Sequence, residues 1–204
     1  MKNHRCVRWK VTEISVAIGV LLAILITAFA PFAEACEEVR QDTLRLHILA
    51  NSDSDEDQAL KLKVRDAVLA AQADLFGAAS SKEDAIEIAT RELENIRTVA
   101  QKTVWQEGYS YPVRVRLENI YFATKEYEEF TLPAGRYDAV RIEIGEQAGH
   151  NWFCVLFPPL CVPAAVDADD TTQYTEEEQQ VLTSPYRIKF AAIELFEYLK
   201  ESVK

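Results

Sequence analysis

Cys154 and Cys161 bracket a short stretch that also holds Trp152, Phe153, Phe157, Pro158 and Pro159, with His150 just ahead of it. In a reducing compartment a free thiol near His150 or His47 could serve as a nucleophile with imidazole as its base. In an oxidising compartment the default for the same two cysteines is a disulfide. So short a loop would gain about 2–3 kcal/mol from chain entropy, subject to strain. Asp53, Asp55 and Asp57 alternate as in a calcium loop, but Gln58 holds the position of that loop's glycine and its terminal Glu is missing. Neither His47 nor His150 has a second histidine or a matching Glu at zinc spacing. No nucleophile elbow, phosphate loop or dinucleotide fingerprint occurs, and Gly145–Gly149 reads as a hairpin connection. The residues therefore assign no catalytic set, no metal and no cofactor.

The start of the chain indicates the compartment. Lys2, Arg5, Arg8 and Lys10 precede an uncharged run from Ile14 to Phe32, the order of an export signal. Ala33-Glu34-Ala35 supplies the small residues of a peptidase site and would leave Cys36 as the first mature residue. The apolar run is also about the ~20 residues that span a bilayer, so a retained anchor is the competing reading. A lipid-modified Cys36 is a third, poorly served by Ala33 and Glu34. In each case the basic end stays inside and the bulk of the chain is delivered outside. The expected organisation is residues 1–35 as signal or anchor and 36–204 as one exported domain.

The chain carries a net charge of −11, and because residues 1–35 contribute +2 the exported part carries −13. Such a domain lacks the clustered cations that nucleic acid requires and is repelled by anionic membrane surfaces. The 49% hydrophobic content supports a real core.

Elements must position these side chains. Asp42–Ala50 alternates, with Leu44, Leu46 and Ile48 on one face and Arg45 and His47 on the other, which predicts a half-buried strand. Turn and capping residues at Asn51–Asp55 lead into a helix from about Glu56 to Phe76, ended by Gly77. Ser80-Ser81-Lys82-Glu83 resembles a capping box opening a second helix to about Trp105, with Ile86, Ala89, Leu93, Ile96 and Ala100 as its core stripe. Strands are predicted at 113–117, at Tyr127–Leu132, at Tyr137–Ile144 and, without alternation, at Asn151–Phe157. Asp167–Gln180 reads as a mobile acidic loop. A last helix from about Pro185 to Lys200 places Ile188, Ala191, Ala192, Leu195, Tyr198 and Leu199 on one face. The order argues for a single α+β domain, with a mostly antiparallel sheet packed against two or three helices.

On a wheel of the first of these helices, Leu60, Val64 and Val68 lie in one apolar arc and Leu62, Leu69 and Phe76 in another. Asp57, Lys61, Arg65 and Gln72 fall between them. Covered charges need partners, so this band reads as a semi-buried network containing an Asp57–Lys61 pair, or as a polar patch open to a partner.

The segment Leu44-Arg45-Leu46-His47-Ile48-Leu49-Ala50-Asn51-Ser52-Asp53 through Asp66 strongly resembles the hallmark segment of the stage II sporulation protein R family. Leu132-Pro133-Ala134-Gly135-Arg136-Tyr137-Asp138 through Ile142, followed by Gly149–Cys161, resembles it too, nearly to the end of the chain. Phe153 stands where the family pattern has a second Trp, and Ala123 where it has Pro. The resemblance implies an exported signalling protein of endospore formers, acting in the space between forespore and mother-cell membranes. It implies a membrane-embedded aspartic protease (stage II sporulation protein GA) as partner, which removes the pro-sequence of the sigma-E precursor. The expected contact surface is Arg45, His47, Asn51, Asp53, Asp57, Lys61 and Arg65 around the strand–helix junction, with Asn151, Trp152, Phe157 and Pro158. For Trp152 and Phe157 ordinary core is the commoner fate. The alternative function is a secreted hydrolase using a Cys or the acids at Asp53–Asp57.

Overall fold

The computed structural model describes residues 2–127, 130–159, 174–184 and 187–202, with side chains from Thr12 onward (Arg187 excepted). It is an α+β fold on a four-stranded mixed sheet. Strands β1 (Leu44–Leu49), β2 (Val113–Phe122), β5 (Gly135–Ile144) and β6 (Asn151–Phe157) lie in the order β2-β5-β1-β6. β1 runs parallel to β5, Leu46 opposite Val140, and antiparallel to β6, Leu46 opposite Cys154. β2 and β5 form an antiparallel pair.

Helices α2 (Asp55–Gly77) and α3 (Lys82–Gln106) cover one face. Leu44, Leu46, Ile48, Val140, Ile142, Ile144, Cys154 and Leu156 point into that layer and meet Leu60, Val64, Val68, Phe76, Ala89, Ile96 and Ala100. Ser54 caps α2 by accepting from the Asp57 N–H, and Ser81 caps α3 by accepting from that of Asp84, each satisfying a donor the helix leaves open. Asp55, Glu56 and Asp57 in the first turn of α2 also suit its positive end. Of the predicted α3 stripe, Ala89, Ile96 and Ala100 are buried, while Ile86 and Leu93 are partly covered.

The other face holds the departures from sequence expectation. Alternation predicts that Arg45 and His47 face water, yet all six residues of β1 are buried. The cover is a small ribbon and the N-terminal helix. In place of one strand over 127–132 there are two short ones, β3 (Lys125–Glu126) and β4 (Thr131–Leu132), paired with each other and closed by the Tyr127 N–H donating to the Phe130 carbonyl. The Lys2–Gln41 helix, α1, continues unbroken through Pro31. Its apolar surface from Ile14 to Ile26 is exposed, as befits a signal peptide or membrane anchor, and it is long and apolar enough to cross a bilayer. From Phe32 onward it docks: Phe32, Cys36 and Val39 recur at helical spacing and are buried.

Part of the stretch expected to be a mobile loop is helical. Thr175 and Glu178 form a reciprocal capping box that opens α4 (Glu176–Leu182), and Val181 and Leu182 are buried. Residues 167–173 of that expected loop lie outside the described residues. The last helix, α5 (Arg187–Ser202), buries a different face from the predicted one. Phe190, Ile193 and Glu197 turn inward, while Ile188, Leu195, Tyr198 and Leu199 stay exposed. The end of α1 selects this face: Phe190 meets Phe32 edge-on at 5.3 Å and Glu197 faces Arg40 at 3.6 Å.

Candidate functional site

The expected surface residues divide into two groups on opposite sides of the sheet. Asn51, Asp53, Asp57 and Lys61 gather where β1 turns into α2, and their polar atoms are engaged within the chain. Asp57 accepts from Asn51 Nδ2 at 2.8 Å and from the Ser52 hydroxyl at 2.5 Å. Burial pushes its carboxyl pKa up, but the hydrogen bonds from Ser52, Asn51 and Tyr111 outweigh that and hold it below the usual carboxylate range. The expected Asp57–Lys61 pair is not formed. Lys61 instead donates to the His150 carbonyl at 2.8 Å and to Gln58 Oε1 at 2.6 Å, because burial beside the β5–β6 connection aims its amine there. Asp53 accepts from the His150 backbone N–H and contacts its ring, which lowers its own pKa.

Asn51 completes the clamp through Oδ1, which accepts from the Glu146 N–H at 3.0 Å. The Ala148 and Gly149 N–H groups donate to the Asn51 and Ala50 carbonyls. Gly149 sits so close that a Cβ there would lie 2.1 Å from the Ser52 carbonyl oxygen. The junction is therefore a structural lash joining the β5–β6 turn to the head of α2. Arg65 pairs with Asp66 and lies 5.1 Å over the Trp152 ring. Trp152 is half-buried against the main core, and Phe157 and Pro158 are buried; Asn151 is exposed. Trp152 and Phe157 thus serve the main core, whereas Phe153 lies on the opposite face.

Arg45 and His47 lie on the other side, in an aromatic chamber. The Arg45 guanidinium is 0% exposed and sits 4.0 Å over Phe122, 5.0 Å from Tyr137 and 5.7 Å from Phe153. Its single hydrogen bond goes to the Tyr127 hydroxyl at 3.1 Å, and Nε and Nη1 have none. No carboxylate among the described residues pairs with it. His47 stacks on Phe153 at 4.8 Å and meets Phe122 edge-on. Neither ring nitrogen has a partner of normal geometry, although Asn151 stands close enough to favour the protonated ring slightly. Burial, then the charges of Arg141 and Arg45, push the imidazole pKa down to about 4. Next along this face, the buried Glu143 carboxylate is held by Arg116 at 2.7 Å, Arg141 at 3.0 Å and Arg114 at 3.3 Å.

Sequence reasoning missed Phe122, Tyr137, Phe153, Tyr127 and Thr124 as members of this chamber. The available signal was strand register: His47 lies directly opposite Phe153 across β1 and β6, and Tyr121 and Phe122 are adjacent aromatics. For the cysteines, alternation is decisive. Cys154 pairs with Leu46 on the helix-covered face, so it lies on the opposite side of the sheet from His47. Cys154 is fully buried, and Cys161 lies outside the described residues.

A family model described as Stage II sporulation protein R matches residues 40–167. The chain is also similar to the Stage II sporulation protein R of Bacillus subtilis (strain 168), with 42% identity over 123 residues. That alignment covers 60% of this chain and 55% of the relative, so the chain spans little more than half the length of the curated relative it matches. No solved structure matches.

Proposed function

Since the chain belongs to the stage II sporulation protein R family, we propose that it is an exported signal, not a catalyst, that switches on a membrane-embedded aspartic protease (stage II sporulation protein GA). That protease then processes the sigma-E precursor, and the signal acts in the space between forespore and mother-cell membranes. The observation that carries this reading is the family match over 40–167, lying directly behind an apolar N-terminal helix of signal or anchor type. The hydrolase alternative finds little support in the geometry of its candidate residues. Cys154 and His47 occupy opposite faces of the sheet, the His150 ring contacts Asp53, and Asp53 and Asp57 each accept hydrogen bonds within the junction.

In this reading Cys154 and Cys161 form a disulfide in the exported domain, fixing the end of β6. Substituting either one with Ser is expected to give the same loss of stability and of signalling. Loss from one only, in a protein of unchanged stability, would point to a nucleophile instead. The function itself is tested by co-expressing the chain with the protease and the precursor. Precursor cleavage that depends on the chain is the expected result, and its absence contradicts the proposal.

A further inference from the structure

The chamber around Arg45 is a cavity of about 200 Å³ lined by Arg45, His47, Phe122, Thr124, Lys125 and Phe153, among others. Ala123, Lys125 and Asn151 are exposed at its rim, while Arg45 and His47 are buried in its floor. Among the described residues, three sets of polar atoms there have no hydrogen-bond partner of normal geometry: Nε and Nη1 of Arg45, both ring nitrogens of His47 and the hydroxyl of Thr124. A guanidinium removed from water loses hydration, and the aromatic rings and the Tyr127 hydroxyl offset part of that loss, while Nε–H and Nη1 have no partner among the described residues. By contrast, Glu143 on the same face is surrounded by three arginines, so this fold does supply counter-charges where it needs them.

We propose that this cavity is a binding site for a carboxylate, received by the Arg45 fork with His47 and Thr124 as auxiliary hydrogen-bonding groups. A planar carboxylate matches the guanidinium fork, and the Phe122 and Phe153 rings line the cavity beside it. The volume admits a carboxylate with a few methylenes. The neutral imidazole donates through one nitrogen, and Lys125 at the rim adds attraction for an anion. The carboxylate comes either from an acidic side chain of a protein partner or from a small free acid. The assignment rests on the cavity alone and does not depend on the sporulation reading.

The test uses the full-length chain in detergent micelles, titrated at constant ionic strength while the Arg45 Nε–H resonance is followed. The probes are sodium acetate, sodium phosphate and the blocked peptides acetyl-Gly-Glu-Gly-amide and acetyl-Gly-Gln-Gly-amide. Saturable shifts with acetate alone support the site with a free acid as its ligand. Tighter response to the Glu peptide, with none to the Gln peptide, supports it with a protein side chain as ligand. No saturable response to either carboxylate, or an equal response to phosphate, overturns the assignment. Arg45→Lys keeps the charge but loses the fork, so acetate or peptide affinity, followed by thermal shift, should fall about tenfold or more. Arg45→Met provides a second readout: with no ligand it should unfold at the same temperature as wild type or higher, and carboxylate should no longer raise that temperature. A Met variant that folds but unfolds well below wild type would show that Arg45 serves packing alone.

Discussion

At the scale of single residues, the two sides of the sheet predict opposite responses. Asp57 is a buried acceptor for Asn51 and Ser52, so Asp57→Ala strands those donors and should cost about 2–3 kcal/mol by denaturant unfolding. Asp53→Ala, at an exposed carboxylate, should cost much less. His47 gives a pH signature. Its imidazole pKa is depressed to about 4 in the fold, against an ordinary value of about 6.5 in the unfolded chain. Between those values the unfolded chain takes up a proton that the folded chain refuses. The stability that this group contributes is present above about pH 6.5 and is lost as the pH falls toward 4, by about 3 kcal/mol at most. Unfolding free energies measured across that window should slope more steeply for wild type than for His47→Gln, and equal slopes would contradict the burial argument. These residues were legible in sequence as unusual but not in their roles. Arg45 and His47 alternate with Leu44, Leu46 and Ile48 as a solvent-facing set would. What buries them, the β3–β4 ribbon and α1, comes from distant sequence that strand periodicity cannot report.

At the scale of elements, local signals served well where an element carries its own boundary chemistry. Ser54 and the α2 polar band, with Asp57, Lys61 and Gln72 buried between two apolar stripes, were readable, whereas Gly77 is the last helical residue and Ala78, in αR, is the cap. α5 was not readable, because its larger apolar face, with Ile188, Leu195 and Leu199, stays exposed, and only the end of α1 decides which side docks. α4 was hidden by its acidic sequence, although Thr175 and Glu178 form the capping box that starts it. The peptidase site expected between Ala35 and Cys36 lies within α1, with both residues buried. Cleavage would therefore have to precede docking of this segment. Phe32→Ala reports on that point. In a chain that keeps α1 it removes the Phe190 contact and should cost about 3 kcal/mol, whereas in a cleaved chain it has no effect on the mature domain's melting temperature. The β5–β6 turn offers an independent check. Gly149→Ala drives a Cβ into the Ser52 carbonyl and should lower stability by about 1–3 kcal/mol, with the junction hydrogen bonds to His150 and Glu146 the first to lose exchange protection.

At the scale of the whole molecule, the sheet separates an aliphatic face from a polar and aromatic one. α2 and α3 seal one face with aliphatic side chains, and the strand–helix junction locks the β5–β6 turn to it. The other face collects a caged carboxylate, a guanidinium among aromatic rings with no carboxylate partner among the described residues, and the docked end of the apolar N-terminal helix. Residues 36–204 carry a net charge of −13, which favours solubility and repels them from anionic lipid. The central claim is that this chain works from outside the membrane as the trigger of a protease. The most direct measurement is precursor cleavage in cells that hold the protease and the precursor, comparing the full chain with one lacking residues 1–35. The account predicts cleavage with the full chain and none with the leaderless chain at equal abundance. Equal cleavage with both, or none with the full chain, would contradict it.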